Sequence, residues 1–464
     1  MKMTLNKRRI VFLICILLFL IIAPLIILST SGYRYDFQKN KFVKTGILVM
    51  NIDPTDVRIF VNDEERETSF KDGLHRIKNL IPDDYTIRVE KDGYTTWQKI
   101  LRIESKKTTF TDTVQLFKIA EPELLFSGKV VYQDKINQKA LYVQKEPNAD
   151  NVILLDLKTG ETQTIFPQPE QNVKIQDINI AKASWSMNQE KILIGFENNN
   201  EYAVVDLRNL FRITYVSNIY AKPLAELNWS NFGEHLLYGF HGNEFIQINL
   251  NTQKARTVTS IDFEPGDEIM KEYFVDGSNI YFFRKTNKNV QFETINFIDN
   301  PVKNKKLLIL PITAQLEFVN ERLALPHFID THEKKLYVFN QGDLSSLIEF
   351  QANTAELRND VWLYNNDFEL WVWDWIENQS KLLNRYSRQI TESTWYPDGK
   401  HILFSHGDSL EIIELDTRDK VNQSAIASTN TLSNIVTNEK GTRVYYISND
   451  GAEAGIYMVV LKEE

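Results

Sequence analysis

Trp395-Tyr396-Pro397-Asp398-Gly399-Lys400-His401-Ile402-Leu403-Phe404 opens on an aromatic residue, crosses a polar turn and enters an apolar run. The phrase recurs as Trp185-Ser186 leading to Lys191-Ile192-Leu193-Ile194, and as Trp229-Ser230 leading to His235-Leu236-Leu237-Tyr238. Looser copies begin at Tyr132, Phe274, Phe318, Leu357 and Thr437, so starts follow one another at intervals of about 44 residues,. A period of that size built only of strands is the period of a propeller blade, and eight starts predict eight blades, with seven as the alternative because the copies near Phe318 and Leu357 are degenerate,.

A second phrase sets the register of the first. Val152-Ile153-Leu154-Leu155-Asp156-Leu157-Lys158-Thr159-Gly160, Ala203-Val204-Val205-Asp206-Leu207-Arg208-Asn209, Ile246-Gln247-Ile248-Asn249-Leu250-Asn251-Thr252 and Ile412-Ile413-Glu414-Leu415-Asp416-Thr417 are apolar strands that end in polar turns. Short polar side chains bond a turn backbone, and the nearly continuous apolar runs suit strands covered on both faces by neighbouring blades. One blade cannot bury itself, so the array must close. The last copy supplies strands around Ile435, Val444-Tyr445-Tyr446-Ile447 and Ile456-Tyr457-Met458-Val459, and the fourth is expected from Pro122-Glu123-Leu124-Leu125-Phe126,. Through these repeats, residues 121–464 resemble the broad class of TolB-like and WD40-like propellers, a likeness that implies a fold and leaves function open,.

Composition narrows the class. A hydrophobic share of 43% supplies a core and excludes a largely disordered chain,. Cys15 is the only cysteine, so the sequence offers neither a disulfide nor a thiolate zinc site,. Net charge is −9, and Lys2, Lys7, Arg8 and Arg9 gather before the first acid at Asp36, leaving a still more acidic body that argues against a nucleic-acid partner,. Residues 10–28 form an uncharged apolar run of about 28 Å as a helix, close to a bilayer core,. The run exceeds a signal-peptide core and no Ala-x-Ala precedes a cut, so the reading is an uncleaved anchor rather than a cleaved signal peptide. With the basic residues inside, residues 1–9 are a cytoplasmic tail, 10–29 a transmembrane helix and 30–45 an external stem, which places the protein in the cell membrane with a single pass,.

Residues 46–118 read as a small β sandwich, with strands around Ile47-Leu48-Val49-Met50, Val57-Arg58-Ile59-Phe60-Val61, Tyr85-Thr86-Ile87-Arg88-Val89 and Gln98-Lys99-Ile100-Leu101,. Together with Leu80-Ile81-Pro82 and Lys91-Asp92-Gly93-Tyr94-Thr95-Thr96-Trp97, these segments resemble the PEGA domain of bacterial surface and envelope proteins. Pro54-Thr55-Asp56-Val57 stands where that family has Pro-Glu-Gly-Ala, and Asp83-Asp84 where it has a glycine. The resemblance implies attachment or presentation outside the cell, without catalysis.

Catalytic motifs are sparse. Ser405-His406-Gly407-Asp408-Ser409 holds the residue types of a hydrolase triad but follows an apolar strand directly, as a hairpin turn does,. His327, Asp330 and His332 are spaced poorly for a metal and read as surface polar residues; Asp63-Glu64-Glu65 and Asp83-Asp84 lack the spacing of a calcium loop and read as solvated turns,. Trp371, Trp373 and Trp375 alternate, so they share one strand face, with Trp362 a hairpin earlier,. Such a row suits packing between blades, and it also suits stacking on sugar rings; these four are the candidate ligand-binding residues. The sequence thus predicts an all-β envelope protein, a PEGA-like sandwich followed by a propeller, that recognises another envelope protein or a cell-wall glycan without catalysis, cofactor or metal. The alternative is a propeller hydrolase or lyase with carboxylates in its central channel.

Overall fold

A computed structural model of the chain describes residues 5–37, 39–167, 178–197, 200–209, 212–231, 233–274, 278–298, 304–319, 326–340, 343–428, 431–450 and 454–463. Lys2 of the basic tail lies outside these residues. The chain divides into two compact units, one of residues 1–119 with 416–424, the other of 120–415 with 425–464.

The first unit opens on helix α1, Leu5–Thr30, which runs uninterrupted through Pro24. Within Arg8–Thr30, the apolar stretch that follows Arg8 and Arg9 holds an 18-residue window with a mean hydropathy of 3.5, none of it buried by protein, so it is long and apolar enough to span a bilayer,. Strands Tyr33–Asp36 and Lys41–Lys44 then pair antiparallel. Two four-stranded sheets follow, in the orders Thr108–Gln115, Gly46–Asp53, Leu74–Leu80, Ser69–Lys71 and Glu64–Glu65, Arg58–Val61, Asp84–Glu90, Trp97–Arg102. The alternation in Tyr85-Thr86-Ile87-Arg88-Val89 turns Ile87 and Val89 inward, where they meet Leu48, Met50, Ile59, Trp97 and Val114 in one core,. Trp97–Arg102 is an edge strand, and residues 416–424 cap it: Gln98 and Ile100 donate their main-chain N–H groups to Asn422 Oδ1 (3.2 Å) and Asp419 Oδ2 (2.9 Å). An exposed row of donors is thereby removed.

The second unit is a succession of four-stranded antiparallel sheets, eight among the described residues. Seven are built of strands consecutive in sequence, from Val130–Ile136 to Gln423–Ser428. The degenerate stretches fold like the rest: Leu316–Val319 opens a fifth complete sheet and Thr354–Arg358 a sixth. Where the two phrases coincide burial is greatest, as in Lys191–Phe196, buried along its whole length. The polar turns behave as their residues dictate, with Asp156 Oδ1 accepting the N–H groups of Lys158 (2.9 Å) and Thr159 (3.1 Å), and Asn249 Oδ1 those of Asn251 and Thr252 (3.0 Å each),.

The core lies between sheets rather than within any one. Leu141, Val143 and Val152 of the first sheet pack on Trp185, Ile192 and Ile194 of the second, and similar layers join the second to the third, the third to the fourth, the fourth to the fifth and the fifth to the sixth. The eighth sheet consists of Leu432–Thr437, Arg443–Ser448 and Gly455–Val460, and its outer strand is Glu123–Ser127 from before the first repeat. Glu123 pairs with Met458, Leu124 with Tyr457 and Phe126 with Ile456. Gly455 is dictated by this pairing, since a Cβ there would stand 2.2 Å from the Phe126 carbonyl oxygen. Tyr142 and Ile153 then pack on Tyr445 and Ile447, joining the first sheet to the last. Tyr445 Oη donates to the Leu157 carbonyl at 2.7 Å inside that layer. Tyr445→Phe removes the donor and leaves a buried carbonyl short of a partner, so a loss of about 1–3 kcal/mol is expected in chemical denaturation; an unchanged midpoint contradicts the role of that bond.

Candidate functional site

First strands of neighbouring sheets approach one another at several places, Val130–Ile136 with Ile180–Trp185, Thr354–Arg358 with Ile390–Trp395, and Ile390–Trp395 with Leu432–Thr437, and this brings polar groups of several sheets together. Asp134 Oδ2 accepts the Trp185 N–H (3.0 Å), Glu356 Oε2 accepts the Trp395 N–H (3.0 Å) and the Thr394 hydroxyl (2.7 Å), and Glu392 Oε2 accepts the Ile435 N–H (3.1 Å). The repeated tryptophan ties in as well: Trp229 Nε1 donates to the Ser184 carbonyl (3.0 Å) and Trp395 Nε1 to that of Glu356 (3.3 Å). Lys135 of the first sheet reaches the Thr437 carbonyl of the eighth at 2.9 Å, and Arg358 of the sixth reaches the Tyr396 carbonyl of the seventh at 3.0 Å.

Enclosure shifts these groups. Burial pushes the Glu356 carboxyl above the ordinary range, against the pull of Thr394, the Trp395 N–H, Lys135 and Arg358. Glu392 is raised for the same reason, against main-chain donors at Asn434 and Ile435. Lys135 is lowered by burial, with Glu356 and Glu439 opposing. Raised carboxylates beside a lysine are the ingredients of acid–base chemistry. Here the same carboxylates accept the N–H groups of the next sheet, so they also hold the sheets in register.

A pocket of ≈ 270 Å³ opens nearby, lined by Thr331, Lys334, Asn353, Gln389, Ile390 and Thr391. Three sheets build it. Thr331 and Lys334 occupy the turn between His327–Asp330 and Lys335–Asn340, Asn353 precedes Thr354–Arg358, and Gln389 precedes Ile390–Trp395. Asp367 organises them, its Oδ1 accepting from Lys334 Nζ (2.5 Å), Asn353 Nδ2 (3.0 Å) and Gln389 Nε2 (3.1 Å), while its main-chain carbonyl accepts the Ile390 N–H (2.8 Å). The Lys334 and Asn353 bonds hold the Asp367 carboxyl below the usual range. Among the described residues the buried Asn353 Oδ1 has no hydrogen-bond partner. The wall therefore offers an ammonium, two amides and two hydroxyls around one aliphatic side chain, which suits a ligand rich in hydroxyl groups. Its volume falls just below the range of ligand pockets (~300–1,000 Å³), fitting one ring or one side chain,.

The sequence-selected residues fall elsewhere. Trp362 and Trp373 are wholly buried, at 0% and 1% exposure, between the fifth and sixth sheets with Ile329, Val338 and Phe350. Trp371 and Trp375 are half-buried at the rim of the same layer, Trp371 stacked on Tyr364 at 6.3 Å. His327 and Asp330 are not surface residues: both are buried, His327 edge-on to Trp362 and Trp375 and lowered by burial to about 4, Asp330 accepting the N–H groups of Gln315, His332 and Glu333. The reason is that His327–Asp330 is an interior strand of its sheet. Only His332 is exposed. Ser405 is buried and bonds Thr391 and the Glu392 N–H, while Gly407 and Asp408 form the two-residue turn between His406 and its partner Ser409, with Gly407 at φ +60°,. Among the described residues no group of His, Cys, Asp and Glu is arranged to hold a metal. Asp63, Glu64 and Glu65 are exposed, as is Asp84.

No family model matches the chain, and no curated protein matches it by sequence. Among solved structures it is similar to dipeptidyl peptidase 4 of Porphyromonas gingivalis, with a TM-score of 0.50 and 9% identity over 72% of this chain and 58% of that one. An oligogalacturonate lyase in complex with manganese gives a TM-score of 0.40 at 12% identity, covering 75% and 96% of the two chains. PorZ, a surface component of the type-IX secretion system of P. gingivalis, gives 0.35 at 10% identity, covering 74% and 39%. The chain spans little more than half the length of the peptidase. At such identities the likeness is one of fold: the sheet array is of the β-propeller type.

The raised carboxyls give a pH test. A carboxyl whose folded pKa exceeds its ordinary 4.5 binds its proton more tightly in the folded protein, so stability falls as pH rises from that value through the folded one, then levels,. Glu356→Gln keeps an acceptor for Trp395 and Thr394 and is expected to flatten this decline in thermal melts from about pH 4 to 8. An unaltered slope, in this variant and in Glu356→Gln with Glu392→Gln, contradicts the assignment.

Proposed function

We propose that the chain is a membrane-anchored binding protein of the bacterial cell envelope, with α1 as an uncleaved single-pass anchor and both β units outside the cytoplasm. Arg8 and Arg9 ahead of the apolar stretch support that orientation,. The small unit is a PEGA-like sandwich, a reading supported by its two sheets and by Tyr94 and Trp97, which close the Lys91-to-Trp97 phrase inside its core. The eight sheets are the blades of one ring, fastened by Glu123–Ser127. The ring acts in recognition, and the pocket around Asp367 is its binding site.

The single observation behind the binding site is the convergence of Lys334, Asn353 and Gln389, from three sheets, on one carboxylate oxygen beside an open pocket. This network lines a cavity, and a concave site with a few convergent polar groups is where a small ligand binds,. A cell-wall glycan fits the donor and acceptor set, and a polar side chain of an envelope protein is the other class of occupant. Catalysis is not needed to explain the carboxylates, because Asp134, Glu356 and Glu392 each receive main-chain donors from the next blade.

The full chain in detergent, titrated with solubilised cell-wall oligosaccharides and followed by calorimetry, tests this. Asn353→Ala with Gln389→Ala is expected to weaken binding at least about tenfold, the equivalent of one or two hydrogen bonds, with the melting temperature lowered by only a few degrees for the two bonds to Asp367 that are lost,. Undiminished binding by the double variant contradicts the pocket, and release of shortened oligosaccharides by the wild type transfers the protein to the propeller hydrolases or lyases.

A further inference from the structure

Residues 33–44 form a feature that the recognition surface does not use. Strands Tyr33–Asp36 and Lys41–Lys44 make a two-stranded hairpin, too small to be stable alone in water,. It is tied to the end of α1: Arg34 Nη1 donates to the Ser29 carbonyl (3.0 Å) and to Ser29 Oγ (2.9 Å), and Thr45 donates its N–H to the Gly32 carbonyl (2.9 Å). Tyr35 and Phe42 are cross-strand partners, so their rings share a face, and Phe37 adjoins them,. The rings meet edge to face, Tyr35 with Phe37 at 5.1 Å and with Phe42 at 5.2 Å, yet all three stay exposed, Phe37 at 83%. Three aromatic rings left open to solvent mark a surface meant to be covered.

Charge identifies the cover. Arg34, Lys39, Lys41 and Lys44 lie in this stretch against one acid, Asp36, in a chain whose net charge is −9. Asp36 is buried and already engaged by the Lys39 N–H (3.0 Å) and ammonium (3.5 Å). Exposed aromatics combined with excess cations, a few residues beyond an apolar helix, match the chemistry of the membrane–water interface, where rings sit at headgroup depth and lysines reach anionic headgroups. We propose that the hairpin of Tyr33–Asp36 and Lys41–Lys44 lies in the membrane interface, with Tyr35, Phe37 and Phe42 at the headgroup boundary and Lys41 and Lys44 on anionic lipid. It serves as a foot that fixes the end of the anchor at the surface. The inference rests on α1 spanning the bilayer.

Nitroxide labelling of the full chain, reconstituted in phosphatidylcholine vesicles with and without phosphatidylglycerol, tests both statements separately. The native Cys15, exposed inside α1, reports on the helix. In a Cys15→Ala background, labels at Phe37→Cys and Phe42→Cys report on the hairpin, and one at the exposed Glu65→Cys on bulk water. The labels at 37 and 42 are expected to show a several-fold loss of relaxation by a water-soluble nickel chelate relative to 65, with relaxation by oxygen retained. Lys41→Glu and Lys44→Glu together are expected to reverse part of that loss in the phosphatidylglycerol vesicles only. Chelate access at 37 and 42 equal to that at 65, with Cys15 in lipid, overturns the proposal. Protection from chelate and oxygen alike also overturns it, because protein, such as a second copy, then covers the rings. Chelate access at Cys15 removes the anchor reading itself.

Discussion

No sheet of the larger unit can bury its own faces, and the array is held by the pairing of Glu123–Ser127 with Gly455–Val460. Without that pairing the first and last sheets would each expose an apolar layer, and Gly455–Val460 an unpaired edge. The side chains follow from this constraint. Gly455 lacks a Cβ because Phe126 passes over it, and Tyr445 spends its hydroxyl on Leu157 of the first sheet. Hydrophobic layers between sheets supply most of the cohesion, but they are non-directional. Direction comes from hydrogen bonds that cross from one sheet to the next.

Those crossing bonds explain why the repeat starts on tryptophan and why acids precede it on the neighbouring strand. A carboxylate at Asp134 or Glu356 receives the N–H of the next tryptophan, and the indole of Trp395 bonds back to the strand that carries Glu356. Such enclosed carboxylates are destabilising unless satisfied, so they fix register, and Glu356 leaves a trace in the pH dependence of stability,. The pocket around Asp367 obeys the same logic with an opening: donors from neighbouring sheets meet one carboxylate, but space remains beside them.

Much of the fold was legible in the sequence because strand burial leaves a one-dimensional pattern. The Trp-led phrase, the Asp156 and Asn249 turns and the closing strand at Glu123–Ser127 all lie where the apolar runs put them. Strands Leu74–Leu80 and Thr108–Gln115 of the small unit escaped notice, since His75, Arg76, Lys78 and the threonines of the second mask a weak apolar period. The candidate site was not legible. Lys334, Asn353, Asp367 and Gln389 have no common spacing because three sheets contribute them, and nothing in a linear string marks groups assembled across blades. The tryptophans stand out by their chemistry, yet all four pack in the layer between the fifth and sixth sheets, two wholly buried and two half-buried,.

The measurement that bears most directly on the recognition role is amide hydrogen exchange across the full chain, with and without solubilised cell-wall oligosaccharides. The expected result is protection confined to the turn carrying Thr331 and Lys334, to the start of Thr354–Arg358 and to the start of Ile390–Trp395,. Protection confined to other blades or to the small unit, or none in the presence of every fraction, contradicts it.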